Sequence, residues 1–347
     1  MIVFYLLVPY TLLIIFLIWG IEKNTHSPDP KSGGISVLIP FRNEADRIQG
    51  LLKSIQNLSP SSNPIEFLFI DDYSQDDSVK LIENHLSGIN FKILSNSKTQ
   101  GKKQAIECAI SQAEYHWIFT TDADCQIPPD FFRDFEQESP MGDLIAGPVL
   151  SFNSSSFQGM NFLSLSAYGD ASSYYGQLKN ISAANLFYKK SIFEALNPYA
   201  DNIEIQSGDD VFLAKAFSKA NKKMVYWSNH NHVIRTTEKK SFQSFFSQQY
   251  RWTSKTASVK SGTTSAVALV VWLSNLSLII SLFIFDLELA AWLWLSKIVL
   301  DYIYFNRYYY KIQEAICLRK YLLNAVIYPW FASVLGFMSL KMKKKWD

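Results

Sequence analysis

The pattern of apolar and polar positions divides the chain into three parts. Residues 1–20 (MIVFYLLVPYTLLIIFLIWG) carry no charged side chain and are long enough to cross a bilayer as a helix. They lack the basic start, short apolar core and small-residue cleavage site of a signal peptide, so residues 1–21 are expected to be a transmembrane anchor. A polar linker rich in Pro, Ser and Gly occupies residues 22–34. From Ile35 onward, short apolar runs alternate with amphipathic ones. ISVLIP (35–40), IEFLFI (65–70), FKIL (91–94) and the run Trp117, Ile118, Phe119 read as buried strands. Between them, a helix capped by Asn43 with Asp46 in its first turn runs to Leu58, and further helices cover 76–87 and 100–114. Strand–helix–strand alternation at this spacing predicts a parallel, doubly wound sheet.

The rest of the domain, taken to residue 236, is less regular. DLIAGPVLSF (143–152) and ISAANLFY (181–188) read as strands around a helix near 156–172. Ser207-Gly208-Asp209-Asp210 opens a helix that buries Phe212, Leu213, Ala216 and Phe217, and MVYW with HVIR (224–235) predicts a closing strand or hairpin. Residues 241–256, inside a segment 237–262, form an amphipathic helix. Phe242, Phe245 and Phe246 share one face of it, while Gln248, Arg251 and Lys255 lie about 140° away. That division suits a helix lying among lipid headgroups. Residues 263–347 hold three apolar runs, at 265–285, 289–306 and 321–340, and end on the basic tail KMKKKWD. Lys297 and Asp301 interrupt the second run at a spacing that allows mutual neutralisation inside a bundle. With the anchor crossing once, three further crossings would carry the tail away from the catalytic side, against the positive-inside tendency. Either 321–340 is re-entrant or hairpin-like around Pro329, or the tendency is overridden here.

Composition adds bounds. The chain has 347 residues, a net charge of +2 and 15% aromatics, and its near-zero mean hydropathy averages very apolar ends with a mixed middle. Such a charge points to no nucleic-acid partner. Three scattered cysteines (Cys108, Cys125, Cys317) fit a reducing compartment. Neither a G-x-G-x-x-G after the first strand nor a P-loop is present, which excludes the usual dinucleotide and P-loop readings.

The chemistry concentrates at Thr121-Asp122-Ala123-Asp124-Cys125. Two carboxylates one residue apart end an apolar strand, where open α/β sheets bind ligands, and Pro128-Pro129 stop the strand from continuing. Such a pair suits a hard divalent cation, Mg²⁺ or Mn²⁺, that also holds phosphate oxygens. Lys102 opens a helix, where its ammonium and the free N–H groups can meet a phosphate. His230 and His232 alternate on an expected strand and could share a metal, although a polar strand edge explains them equally. Arg235 is a candidate phosphate contact, and Cys125 reads as a packed residue.

Five motifs in order, SVLIPFRNE (36–44), IDDYSQD (70–76), GKKQAI (101–106), TDADC (121–125) and QQYRW (248–252), make the chain resemble a membrane-bound family 2 glycosyltransferase of the cellulose-synthase-like and ceramide-glucosyltransferase-like group. The resemblance implies an α/β GT-A nucleotide-diphospho-sugar transferase domain with a doubly wound mixed sheet, set between N-terminal and C-terminal transmembrane helices. It implies an inverting hexosyltransferase, with a UDP-sugar as donor and a lipid or growing glycan as acceptor, working at the cytoplasmic face of a membrane as a multi-pass protein. Pro40 and Asp72 would meet the nucleotide base, Lys102 and Asp122 the diphosphate, and Asp122 with Asp124 the metal. Asp210, with Asp209 as the alternative, would be the catalytic base. Gln248, Arg251, Trp252 and Asn185 would meet the acceptor or diphosphate. Two departures stand out: Tyr73 replaces a common glycine, and Ser182-Ala183-Ala184-Asn185 lacks the aromatic-Cys-Gly pattern of cellulose synthases. The competing readings are a membrane-bound nucleotidyltransferase, which would want a Gly-rich basic loop that FRNEAD lacks, and a non-catalytic membrane scaffold. Sugar, acceptor, linkage, processivity and oligomeric state are left open.

Overall fold

The computed structural model describes residues 2–96, 100–203, 208–258 and 262–340. The chain enters through α1 (Ile2–Lys23) and continues with β1 (Ile35–Phe41), α2 (Gln49–Gln56), β2 (Ile65–Asp71), α3 (Ser78–His85), β3 (Phe91–Ser95), α4 (Lys102–Gln112) and β4 (Trp117–Thr120). Next come β5 (Cys125–Gln126), α5 (Phe131–Glu138), β6 (Leu144–Ala146), β7 (Val149–Ser151), α6 (Phe157–Tyr174), β8 (Leu186–Lys189) and α7 (Lys190–Leu196). The remainder is α8 (Asp209–Lys219), β9 (Met224–Tyr226), β10 (Ile234–Thr236), α9 (Phe242–Ser258), α10 (Gly262–Ile284), α11 (Leu287–Lys311) and α12 (Leu318–Leu340).

Seven strands form one sheet in the order β3-β2-β1-β4-β8-β6-β9. The first four run parallel, so β1, β2 and β4 all end on one edge. β8 runs antiparallel to both β4 and β6, which makes the sheet mixed. Strand alternation sorts the core: Val37, Ile39, Phe67 and Phe69 pack on one face with α2 and α5, and Leu38, Leu68, Ile70 and Ile118 on the other with α4 and α8. The expected strand over 143–152 is two strands. Gly147-Pro148 divides it, because proline has no ladder donor, and β7 leaves the large sheet for a small one of order β5-β10-β7. That small sheet joins the residues after Asp124 to the chain entering α9.

Several other expectations change. The helix expected from Asn43 begins at Gln49, since Asn43 takes a left-handed φ of 53° and its side chain accepts from the Gln75 N–H at 2.8 Å. It fastens two loops together rather than capping a helix. The 181–188 segment becomes a strand only at Leu186, and 224–235 is no hairpin, for β9 and β10 lie in different sheets. His230–His232 is a 3₁₀ turn with His230 exposed and His232 buried against Phe131 and Trp227, so the two rings do not share a side. The polar linker is annealed to the domain: Asp29 and Lys31 N–H groups donate to the carbonyls of Ser139 and Glu136.

Among the described residues, Gly262–Ile284 and Leu318–Ser339 are long and apolar enough to cross a membrane. α12 is one helix through Pro329, not a hairpin, and KMKKKWD lies outside the described residues. α1 buries Tyr10, Ile14, Leu17 and Ile21 while exposing Leu12, Ile15, Phe16 and Trp19. Lys297 and Asp301 pair at 2.6 Å, and the Tyr10 hydroxyl donates to Asp301, so α1 and α11 share the neutralisation expected within one helix. The aromatic face of α9 is divided. Phe245 is buried, stacked on Phe331 of α12, whereas Phe242 is 67% exposed.

Candidate active site

The parallel strand ends supply most of the site. Asp72 follows β2, Asp122 and Asp124 follow β4, and Lys102 and Asp209 each open a helix, α4 and α8, directed at that edge. Lys102 Nζ lies 2.7 Å from Asp122 Oδ1 and 3.2 Å from Asp209 Oδ2. Desolvation lowers the affinity of this ammonium for its proton, but the Asp122 and Asp209 charges outweigh it and hold the pKa well above the ordinary lysine value. Asp124 is raised by burial and by the Asp122 charge, the position of a carboxylate that gains from a nearby cation. Ligand atoms of Asp122, Asp124 and Cys125 lie within 4.8 Å of one another. The two carboxylates are hard oxygen donors suited to Mg²⁺ or Mn²⁺, whereas burial pushes the Cys125 thiol up and keeps it a packing group.

Two residues in the loop after β1, Glu44 of the first motif and Arg47 just beyond it, reach this centre without having been singled out. Arg47 lies 3.8 Å from Asp124 Oδ2 and 2.7 Å from Glu44 Oε1. Glu44 has a buried oxygen without a hydrogen-bond partner, and desolvation, beyond what Arg47 offsets, brings its pKa to about 7. The signal was present as RNEADR directly after β1. Thr236 Oγ1, 3.5 Å from Asp124 Oδ1, had none, because it arrives through the β5–β10 pairing.

The expected base-contact loop is built around Asp72. Its Oδ1 accepts from Asn96 Nδ2 at 2.7 Å and from the Gly101 N–H at 3.1 Å, tying the ends of β2 and β3 to the start of α4. Tyr73 stands at a φ of 64°, which glycine adopts freely and other residues rarely do, and half of its surface is exposed. Pro40 lies in β1 opposite Ile70. Gly208, at a φ of 86°, precedes α8, so Asp209 is the first helical residue and no side chain caps the helix. Ser207 lies outside the described residues. Asp209 is buried facing Lys102, and Asp210 is half-buried with its own Val211 N–H donating to it.

The residues expected to meet the acceptor or diphosphate are placed unevenly. Gln248 and Arg251 of α9 line a cavity together with Lys239, and Trp252 packs edge-on against Phe162 of α6 at 5.5 Å. Asn185 is corrected: it is buried, and its amide donates to the carbonyls of Pro148 and His232 at 2.9 and 2.7 Å, which pins two backbones and leaves no face for an acceptor. The Arg235 guanidinium pairs with Glu314 and donates to the Ser151 carbonyl.

Comparison with known proteins agrees with this architecture. Residues 36–196 match the family described as Glycosyl transferase family 2. A poly-beta-1,6-N-acetyl-D-glucosamine synthase of Staphylococcus epidermidis is 27% identical over 166 residues, 46% of this chain and 40% of the relative. An undecaprenyl-phosphate 4-deoxy-4-formamido-L-arabinose transferase of Proteus mirabilis is 32% identical over 108 residues, 29% of this chain and 32% of the relative. The chain thus spans less than half the length of these two relatives. A mannosyltransferase from Pyrobaculum calidifontis, solved with GDP-Man and Mn²⁺, superposes with a TM-score of 0.61 at 15% identity, covering 95% of this chain and 98% of the other. The chain therefore carries a glycosyl transferase family 2 domain built on the mixed α/β sheet of the GT-A fold.

Proposed function

We propose that the chain is an inverting glycosyltransferase that moves a sugar from a nucleotide-sugar donor, a UDP-sugar foremost, to a lipid or growing glycan acceptor at a membrane surface. The observation that carries this reading is Lys102 reaching both Asp122 and Asp209 at the edge where β1, β2 and β4 end. An ammonium shared by two carboxylates is poised to exchange one of them for a diphosphate, which is a stronger and more highly charged acceptor. Pro40, Asp72 and Tyr73 would frame the nucleotide base, and Lys102 the diphosphate. Asp122 and Asp124 would hold Mg²⁺ or Mn²⁺, and the bound cation would offset the charge on the departing nucleoside diphosphate. At the start of α8, Asp210 would accept the proton of an acceptor hydroxyl, favoured as an ionised group by the helix terminus. Asp209 would keep Lys102 in place until the donor arrives.

Residues 1–21 and the apolar helices would hold the protein in a membrane as a multi-pass chain with this domain on the cytoplasmic side, where nucleotide sugars are supplied. The similar proteins include one named for a polysaccharide and one named for a lipid phosphate, so both acceptor classes belong to the proposal. The test is a panel of nucleotide sugars presented to the purified chain with membrane lipid and Mn²⁺, scored by nucleoside diphosphate release. Release with one donor, lost in excess chelator, is the expected outcome; silence across the panel would remove the proposal.

A further inference from the structure

The motif GKKQAI carries two adjacent lysines, and the site described above uses only the first. Successive residues of a helix point about 100° apart, so Lys102 and Lys103 face different neighbours. Lys102 turns to the strand edge and pairs with Asp122 and Asp209. Lys103 turns into the protein and is 1% exposed. An ammonium is costly to bury unless its donors are used, and here Nζ donates to the Asn202 carbonyl at 2.7 Å. Nζ also stands 4.1 Å from the centre of the Phe212 ring and 5.9 Å from that of Tyr199, cation–π contacts that strengthen away from water. Gln104 repeats the link one residue on, donating to the Ile203 carbonyl at 3.2 Å.

Both ends of these contacts bear on the reaction. The Gly101 N–H donates to Asp72, so the first turn of α4 joins the base loop, the carboxylate centre and the 202–203 backbone through successive residues. Phe212 lies in the first turn of α8, where its N–H donates to the Gly208 carbonyl at 2.9 Å and the two carboxylates Asp209 and Asp210 stand between them. A cation fixed on the Phe212 ring therefore fixes the turn that presents both carboxylates. Resting on the glycosyltransferase reading, we propose that Lys103 is a positioning residue for the transfer step. It holds α8 at the separation from the donor at which Asp210 reaches the acceptor hydroxyl, and touches neither donor nor acceptor itself. Methionine at 103 would fill much of the same space but remove the donor to the Asn202 carbonyl and the charge on Phe212, which frees the first turn of α8 to shift.

The test uses the full chain in detergent with Lys103→Met, Lys103→Arg, Phe212→Leu and the double variant Lys103→Met with Phe212→Leu. UDP affinity at saturating Mn²⁺ is read by calorimetry. The values of kcat and donor KM come from nucleoside diphosphate release with membrane lipid and the donor that the panel selects. A displacement of about 1 Å at a reacting group costs on the order of 10²-fold, so Lys103→Met should lower kcat about 10–100-fold. UDP affinity and donor KM should stay within about threefold, since no ground-state contact is lost. Lys103→Arg keeps a cation that can donate to the carbonyl and lie on the ring, and should recover most of the lost kcat. Phe212→Leu should lower kcat by less, and adding it to Lys103→Met should change little, because both remove one contact. An unchanged kcat in Lys103→Met overturns the proposal, as do equal losses of kcat and UDP affinity or losses that multiply in the double variant. Should melts show Lys103→Met unfolded, Gln104→Met and Phe212→Leu decide: lowered kcat at unchanged UDP affinity upholds the positioning role, and unchanged kcat overturns it. Normal turnover and UDP binding in every variant remove this role alone. If the unsubstituted chain binds no nucleotide sugar, the reading beneath fails and the positioning role with it.

Discussion

Replacing Lys102 by methionine should move two affinities in opposite directions. The ammonium competes with a divalent cation for Asp122, and it also holds Asp209. Lys102 and Asp122 are 31% and 40% exposed in their side chains, so that ion pair is screened and contributes about 0.5–1 kcal/mol. Removing it frees that amount for the metal, which corresponds to Mn²⁺ binding roughly 2–5-fold more tightly. The diphosphate loses a charge-assisted hydrogen bond of about 1.5–3 kcal/mol, so UDP affinity at saturating Mn²⁺ should fall roughly 10–150-fold. Calorimetric titration of Mn²⁺ into nucleotide-free protein, then of UDP into the Mn²⁺-saturated protein, reads the two separately. If Mn²⁺ binding weakens along with UDP, Lys102 organises the carboxylates rather than competing for them. If UDP binding is unchanged, the ammonium does not meet the diphosphate, and the placement of the donor is wrong.

Three further outcomes follow from the same structure. Asp210→Asn should lower sugar transfer by about 10²–10⁴-fold with donor binding nearly intact, whereas Asp209→Asn, which unties Lys102, should change donor affinity; transfer that survives Asp210→Asn but not Asp209→Asn moves the base by one residue. Lys297→Met leaves Asp301 and Tyr10 facing an unpaired charge between α1 and α11 and should cost about 3 kcal/mol, while adding Asp301→Leu should recover most of it, as thermal melts of the two proteins in detergent would show. Glu44, desolvated and with its pKa at about 7 against an ordinary 4.5, keeps a proton in the folded state that the unfolded chain gives up. Its contribution is therefore complete below that lower value and is lost as pH rises through 7. Stability should drop by about 1–3 kcal/mol across the window, and Glu44→Gln should flatten the slope in denaturant melts.

The sequence by itself determined the parts that depend on local spacing. Apolar runs of strand length between amphipathic helices required the parallel half of the sheet, since β1, β2 and β4 are buried on both faces there and only the edge strand β3 is partly exposed. The TDADC turn and Lys102 were legible for the same reason: a strand that ends in polar residues and a helix that begins with a cation announce a strand-edge site whatever surrounds them. Long-range pairing decided the rest. Gly147-Pro148 parted one apolar run between two sheets, and no local signal says that β10 lies beside β5, so Thr236 and Lys239 were invisible as neighbours of Asp124. Asn185 looked available because its surroundings are small residues, but burial against Pro148 and His232 turned its amide to their backbone carbonyls. The aromatic face of α9 was identified correctly by periodicity, yet periodicity gives only a direction. Phe331 of α12, distant in the chain, decided that part of that face is core. Tyr73 shows the converse, where the sequence marks a departure and only the backbone explains it, as a side chain held in a glycine conformation at the rim of the site.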